Sequence, residues 1–114
     1  KENVLILNLW ATWCKPCIAE FESLEKSKSN YLDKKVKIVA ISNENHDKIK
    51  EFIERREIYL EFLKLNADLN YFGAYSLPTT IVFDKEGKES FRIASGIDFA
   101  SQNFVQKILD LEKL

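Results

Sequence analysis

The stretch Trp10-Ala11-Thr12-Trp13-Cys14-Lys15-Pro16-Cys17 decides the fold, because it joins two different residue patterns across a turn. Upstream, Val4 to Trp10 is a nearly continuous apolar run broken only by Asn8. Such a run fits a central strand covered on both faces. Downstream, from Lys15 to about Asn30, the pattern is helical, and Cys14, Cys17, Phe21 and Leu24 share one face. The chain therefore leaves a buried strand, turns at Ala11-Thr12-Trp13 and starts a helix at Cys14. A helix start carries unpaired N–H groups and the positive end of the macrodipole. A thiolate at Cys14 is stabilised there, so its pKa is expected to fall below that of a free thiol. Lys15 adds a positive charge nearby. Pro16 is tolerated in the first turn, where its missing N–H would be unpaired anyway, and it stiffens the loop. Trp13 offers an apolar surface for docking a polypeptide. The expected roles follow: Cys14, at an exposed helix start, attacks as thiolate, and Cys17, one turn deeper, resolves the mixed disulfide.

Outward from this stretch, Val36 to Ile41 is a second apolar strand, so the first unit reads strand–helix–strand with a parallel, right-handed crossover. Asn45 or Asp47 caps a second helix that runs to about Arg56, with Ile49, Phe52 and Ile53 facing the core. Ile58 to Leu65 reads equally as a short strand or an irregular segment. Asp68 to Tyr75 suggests one or two helical turns ending near Gly73. Ser76-Leu77-Pro78 then leads into Thr79 to Phe83, a β-branched strand. Asp84 to Lys88, with Gly87 for the left-handed position, makes a hairpin to a partner strand, Glu89 to Ala94. Phe99 to Leu114 closes as a helix with Phe104, Ile108 and Leu111 inward. The expected architecture is an α/β sandwich in a single domain over residues 1–114. Its mixed central sheet is built as βαβ then ββα and is flanked by helices.

Composition agrees with one compact domain: 114 residues, 46% hydrophobic and 31% charged, with a formal net charge of −1. That balance excludes a disordered chain and offers no nucleic-acid surface. No apolar run approaches the roughly 18 residues that span a bilayer. Lys1-Glu2-Asn3 leads straight into a core strand, so the chain reads as a trimmed mature domain or a piece of a larger protein, and the missing targeting segment says little about location. A stapled mini-protein would carry more than two cysteines. A Cys14–Cys17 bridge closes too short a loop to stabilise the fold much, so reactivity is the better reason for the pair. Zinc needs about four ligands, and the single histidine, His46, lies at a distant helix start. Covalent haem needs a histidine directly after the second cysteine, where this chain has Ile18. No metal or cofactor is expected.

On these residues the sequence resembles the thioredoxin superfamily, whose active-site signature is Trp-Cys-x-x-Cys after an apolar strand. Trp10 to Cys17 followed by Glu20-Phe21 is similar to the TlpA-like branch. Leu77-Pro78-Thr79 and Gly96 also fall where that family has them, so the resemblance covers nearly the whole chain. It implies a thioredoxin-like sandwich and a bacterial thiol–disulfide oxidoreductase that is periplasmic or otherwise extracytoplasmic. It also leaves room for a membrane anchor upstream of Lys1. It implies a cis peptide bond before Pro78, beside the cysteines, with the Leu77 backbone free to pair with an incoming peptide. The competing reading of Pro78 is a trans proline that merely opens an edge strand.

Glu20 lies three residues after Cys17. A carboxyl partly buried there has a raised pKa and can accept the Cys17 proton. The competing reading is a solvated glutamate like Glu22 or Glu25. In thioredoxin itself the buried acid lies six residues before the first cysteine. Here that residue is Asn8, which cannot titrate; the departure agrees with the TlpA-like branch.

The expected function is reduction of protein disulfides through a Cys14/Cys17 dithiol–disulfide cycle, with Glu20 assisting. Trp13, Lys15, Pro16, Leu77 and Pro78 are the expected substrate contacts, and the partners are protein or peptide disulfides and an electron-donor protein. Two alternatives stay open. One is an oxidase or isomerase of the same fold, although strongly oxidising members often carry a histidine inside the motif and none is present here. The other is a binding domain that holds peptides without turnover, which has no use for two thiols at this spacing.

Overall fold

Apolar and β-branched segments supply the sheet. The computed structural model describes residues 2–74 and 76–114. In it β1 (Val4–Leu9), β2 (Val36–Ser42), β3 (Glu61–Lys64), β4 (Thr79–Phe83) and β5 (Glu89–Ile93) form one sheet of order β3-β2-β1-β4-β5. β1 pairs in parallel with β2, and β2 with β3, whereas β1–β4 and β4–β5 are antiparallel. The helices are α1 (Lys15–Ser27), α2 (His46–Arg56) and α3 (Gln102–Lys113). The βαβ-then-ββα order is present, and the ambiguous stretch from Ile58 to Leu65 contributes a four-residue edge strand beside β2. Tyr75, at the end of the predicted helical turns, lies outside the described residues. The turns themselves form a 3₁₀ segment over Leu69–Phe72, closed by Gly73 in the left-handed region.

Alternation along the strands splits the core in two. On one face Val4, Ile6, Ala40 and Val82 pack with Cys17, Phe21 and Leu24 of α1, Ile49 of α2, and Phe104, Val105 and Ile108 of α3. Trp10 is the hub of this cluster, with ring centroids 5.1 Å from Phe21, 5.1 Å from Phe52 and 5.4 Å from Phe62. On the other face Leu7, Leu9, Val39, Ile41 and Ile81 lie under the crossover from β3 to β4, which supplies Leu65, Phe72, Ala74 and Leu77. All three α-helices thus feed one cluster, while the second face is covered by a segment with only a 3₁₀ turn.

Side chains set the element ends. Asn45, rather than Asp47, caps α2 by accepting the Asp47 N–H at 2.8 Å. Ser101 caps α3 through the Phe104 N–H. α1 stops at Ser27 and tightens into a 3₁₀ turn over Lys28–Tyr31, short of a continuous α-helix to Asn30. In the β4–β5 hairpin, Asp84 Oδ1 accepts the Glu86 and Lys88 N–H groups, and Gly87 sits at φ +88°.

One register relation positions the site. Leu9, the last residue of β1, pairs with Thr79, the first of β4. The turn that leaves β1 toward Cys14 and the Leu77-Pro78 segment that enters β4 therefore lie at the same end of the sheet. This is also the end where β2 runs out at Ser42, the carboxyl end of the parallel strands, where α/β folds place their sites.

Candidate active site

The Cys-x-x-Cys segment is held by backbone bonds on both sides. Trp10 N–H donates to the Ile41 carbonyl at 3.1 Å, and Cys14 N–H to the Ala11 carbonyl at 3.1 Å, closing a turn over Ala11–Cys14. Cys14 is the N-cap of α1: its Sγ accepts the Cys17 N–H at 3.2 Å, and its carbonyl accepts the first helical bond from Ile18. The two cysteines are joined in a disulfide, their Cα atoms 5.3 Å apart. A sulfur accepting a first-turn N–H stands where a helix favours negative charge.

The expectation of an exposed Cys14 is corrected. Cys14 is 3% exposed, because its sulfur turns inward to cap the helix and meet Cys17. The exposed groups are its neighbours: Trp13, at 70%, with Lys15 and Pro16. They form a rim around a recessed disulfide.

Glu20 lies one turn further along the same helix and is 4% exposed, unlike solvent-facing Glu22. Its Oε1 accepts from Asn8 Nδ2 at 3.2 Å, and its Oε2 accepts the Ile97 N–H at 3.0 Å. Asn8 Nδ2 also donates to Thr80 Oγ1 at 3.2 Å. Burial pushes the Glu20 carboxyl up to about 7, against the smaller opposing pulls of the Ile97 N–H and the Asn8 amide. A groove of about 440 Å³, lined by Pro16, Ala19, Glu20, Ser23, Gly96 and Ile97, runs beside the carboxyl. A Cβ on Gly96 would stand 3.8 Å from Glu20 Oε2. The segment that follows is fastened to α1 again where Phe99 N–H donates to Ser23 Oγ at 3.0 Å.

The Leu77–Pro78 peptide bond is cis. Pro78 is buried and Leu77 half-buried, packed against both clusters. Thr79 Oγ1 donates to the Ser76 carbonyl at 2.7 Å and ties the segment into β4. His46 is the exposed first residue of α2.

Sequence reasoning missed Glu44. Its carboxylate accepts the Thr12 N–H at 2.8 Å on Oε1 and the Thr12 hydroxyl at 2.7 Å on Oε2. The Ser42 hydroxyl donates to Oε1 at 3.0 Å and accepts the Glu44 N–H at 3.1 Å, while Lys48 Nζ lies 3.7 Å from Oε2. In the sequence Asn43-Glu44-Asn45-His46-Asp47 nothing separates this glutamate from residues that merely start a helix.

The family model described as AhpC/TSA family matches residues 1–90. Thioredoxin-like protein YneN of Bacillus subtilis is 34% identical over 95 residues, 76% of this chain and 54% of that protein. Thiol-disulfide oxidoreductase ResA of Bacillus cereus is 32% identical over 92 residues, 77% of this chain and 53% of that protein. The chain spans about half the length of these curated relatives. Among solved structures, a putative thiol:disulfide interchange protein DsbE from Chlorobium tepidum aligns with a TM-score of 0.80 at 21% identity, covering 96% of this chain and 80% of that one. StoA from Bacillus subtilis aligns with a TM-score of 0.77 at 16% identity, covering 97% and 83%. The two structures establish the thioredoxin-like fold.

Proposed function

The chain belongs to the AhpC/TSA family, in the TlpA-like branch of the thioredoxin superfamily, and from that premise we propose that it is a thiol–disulfide oxidoreductase that reduces protein disulfides. The observation that carries this reading is the Cys14–Cys17 disulfide at the start of α1, with Cys14 Sγ on the Cys17 N–H and buried Glu20 one turn on.

In the reduced state Cys14 attacks as thiolate, held by the helix start. Its sulfur bonds to one sulfur of the substrate disulfide, and the other leaves as a thiolate that takes up a proton. Glu20, ionised, accepts the proton of Cys17. The Cys17 thiolate then attacks Cys14 Sγ and releases the second substrate thiol. Substrate gains two electrons, and the enzyme is left as the disulfide. A partner dithiol protein returns those two electrons. Trp13, Lys15 and Pro16 on one side and Leu77 and Pro78 on the other hold the substrate segment, which pairs with the Leu77 backbone like an added strand. The reducing direction is supported by the absence of a histidine between the cysteines. An extracytoplasmic setting belongs to the same proposal and rests on the family resemblance; among the described residues no helix is long and apolar enough to cross a membrane.

The test is a Cys17→Ser variant mixed with a disulfide-containing protein. A mixed disulfide through Cys14 is expected to accumulate, dissolve with dithiothreitol, and be absent from Cys14→Ser. No adduct with Cys17→Ser, or an equal adduct with Cys14→Ser, contradicts the assignment.

A further inference from the structure

We infer that Glu44 is a positioning residue for substrate docking: it clamps the Ala11–Cys14 turn so that Trp13 meets a polypeptide at a fixed place. The inference rests on the oxidoreductase reading, in which Trp13 is a substrate contact.

Trp13 is 70% exposed, so little packs against its ring, and its location is set by the backbone that carries it. That backbone is pinned at three points. The Trp10 N–H is held by Ile41, and the Cys14 N–H by Ala11 within the turn. The third is Thr12, immediately before Trp13, whose N–H and hydroxyl reach the two oxygens of one carboxylate at 2.8 and 2.7 Å. Two bonds from one residue to a charged, two-pronged acceptor fix its angle as well as its position.

The carboxylate is itself immobilised. Glu44 has an 11% exposed side chain, receives the Ser42 hydroxyl, and faces Lys48 at 3.7 Å. Its own N–H returns a bond to Ser42 Oγ. Ser42 is the fully buried last residue of β2, so the clamp is anchored in the sheet. Three hydrogen bonds and the Lys48 ammonium offset the cost of holding the carboxylate out of water. Removing it strands the Thr12 N–H and frees the turn. A docking residue already ordered before contact loses less freedom on binding, so the effect falls on substrate capture more than on the chemical step.

The experiment compares wild type with Glu44→Ala, Glu44→Gln and Thr12→Val. The first readout is the indole ¹H–¹⁵N heteronuclear NOE of Trp13, with buried Trp10 as internal reference in the same spectrum. The second is the KM and kcat for insulin reduction. In Glu44→Ala the Trp13 NOE is expected to fall while that of Trp10 holds, and KM to rise on the order of tenfold with a smaller change in kcat. Glu44→Gln returns both readouts toward wild type, because its amide oxygen still accepts the Thr12 N–H. Thr12→Val, which loses one of the two bonds, falls between. If Glu44→Ala does not fold, Thr12→Val decides.

A Trp13 as ordered in the variants as in wild type overturns the proposal. So does a loosened Trp13 with unchanged KM. A wild-type chain that cannot reduce insulin sinks the oxidoreductase reading instead, and the clamp then stands or falls on the Trp13 signal.

Discussion

Replacing Glu20 by glutamine should change how stability depends on pH, and the structure gives both the size and the sign. In the folded chain burial raises the Glu20 carboxyl from 4.5 to about 7. That difference corresponds to about 3 kcal/mol between the two protonation states. The folded value lies above the unfolded one, so the unfolded chain ionises first as pH rises. Between about pH 4.5 and 7 the unfolded state binds fewer protons, and stability falls with increasing pH. The contribution is fully present below about pH 4.5 and is lost once pH has risen through about 7. Glutamine carries no charge to desolvate, and its amide oxygen still accepts the Ile97 N–H. Asn8 can turn its Oδ1, which has no partner among the described residues, toward the new amide. The assay is urea unfolding of the oxidised proteins from pH 4 to pH 8. The other carboxylates titrate alike in both proteins and cancel in the difference. Wild-type stability minus that of Glu20→Gln should fall by about 3 kcal/mol across this range, most of it between pH 5 and 7. Parallel curves would refute the reasoning, because they would mean that Glu20 titrates in the folded protein as it does in the unfolded chain.

Trp10→Ala removes the hub that Phe21, Phe52 and Phe62 surround, and should cost about 3–5 kcal/mol in chemical denaturation; a loss below about 1 kcal/mol would mean that the aromatic cluster collapses around the gap. Asn8→Asp places a second carboxyl where an amide now lies 3.2 Å from Glu20 Oε1. Two carboxylates so close do not both ionise, so carboxyl ¹³C titration should show a coupled pair with one apparent pKa raised further than that of Glu20 alone. Two independent titrations near ordinary values would contradict the geometry.

Much of the fold was legible because its elements announce themselves locally. The β1 run, the α1 periodicity, the Asp84–Lys88 hairpin and the closing amphipathic helix each carry their signal within a few residues. β3 was not, because a largely exposed edge strand, with only Phe62 partly buried, shows neither a continuous apolar run nor clean alternation. Cys14 and Cys17 were singled out by spacing, and Glu20 by its place on the helix, where the structure buries it. The environment that gives Glu20 its character was hidden: Thr80 meets Asn8 across 72 positions, and Ile97 meets Glu20 across 77. Glu44 reaches Thr12 across 32 positions, through a bond made only once β1 and β2 lie side by side. The burial of Cys14 was missed for a related reason. Capping by a sulfur turned inward depends on the turn's conformation, which the residue types alone do not specify.

The most direct test of the central claim is the dithiol–disulfide equilibrium of Cys14 and Cys17. The chain is held in graded dithiothreitol or glutathione buffers, quenched, and read by thiol alkylation. A single two-electron transition is expected, with a potential near thioredoxin's roughly −270 mV. A potential near about −120 mV would contradict the reducing direction, and a pair that does not cycle at all would contradict the oxidoreductase reading itself.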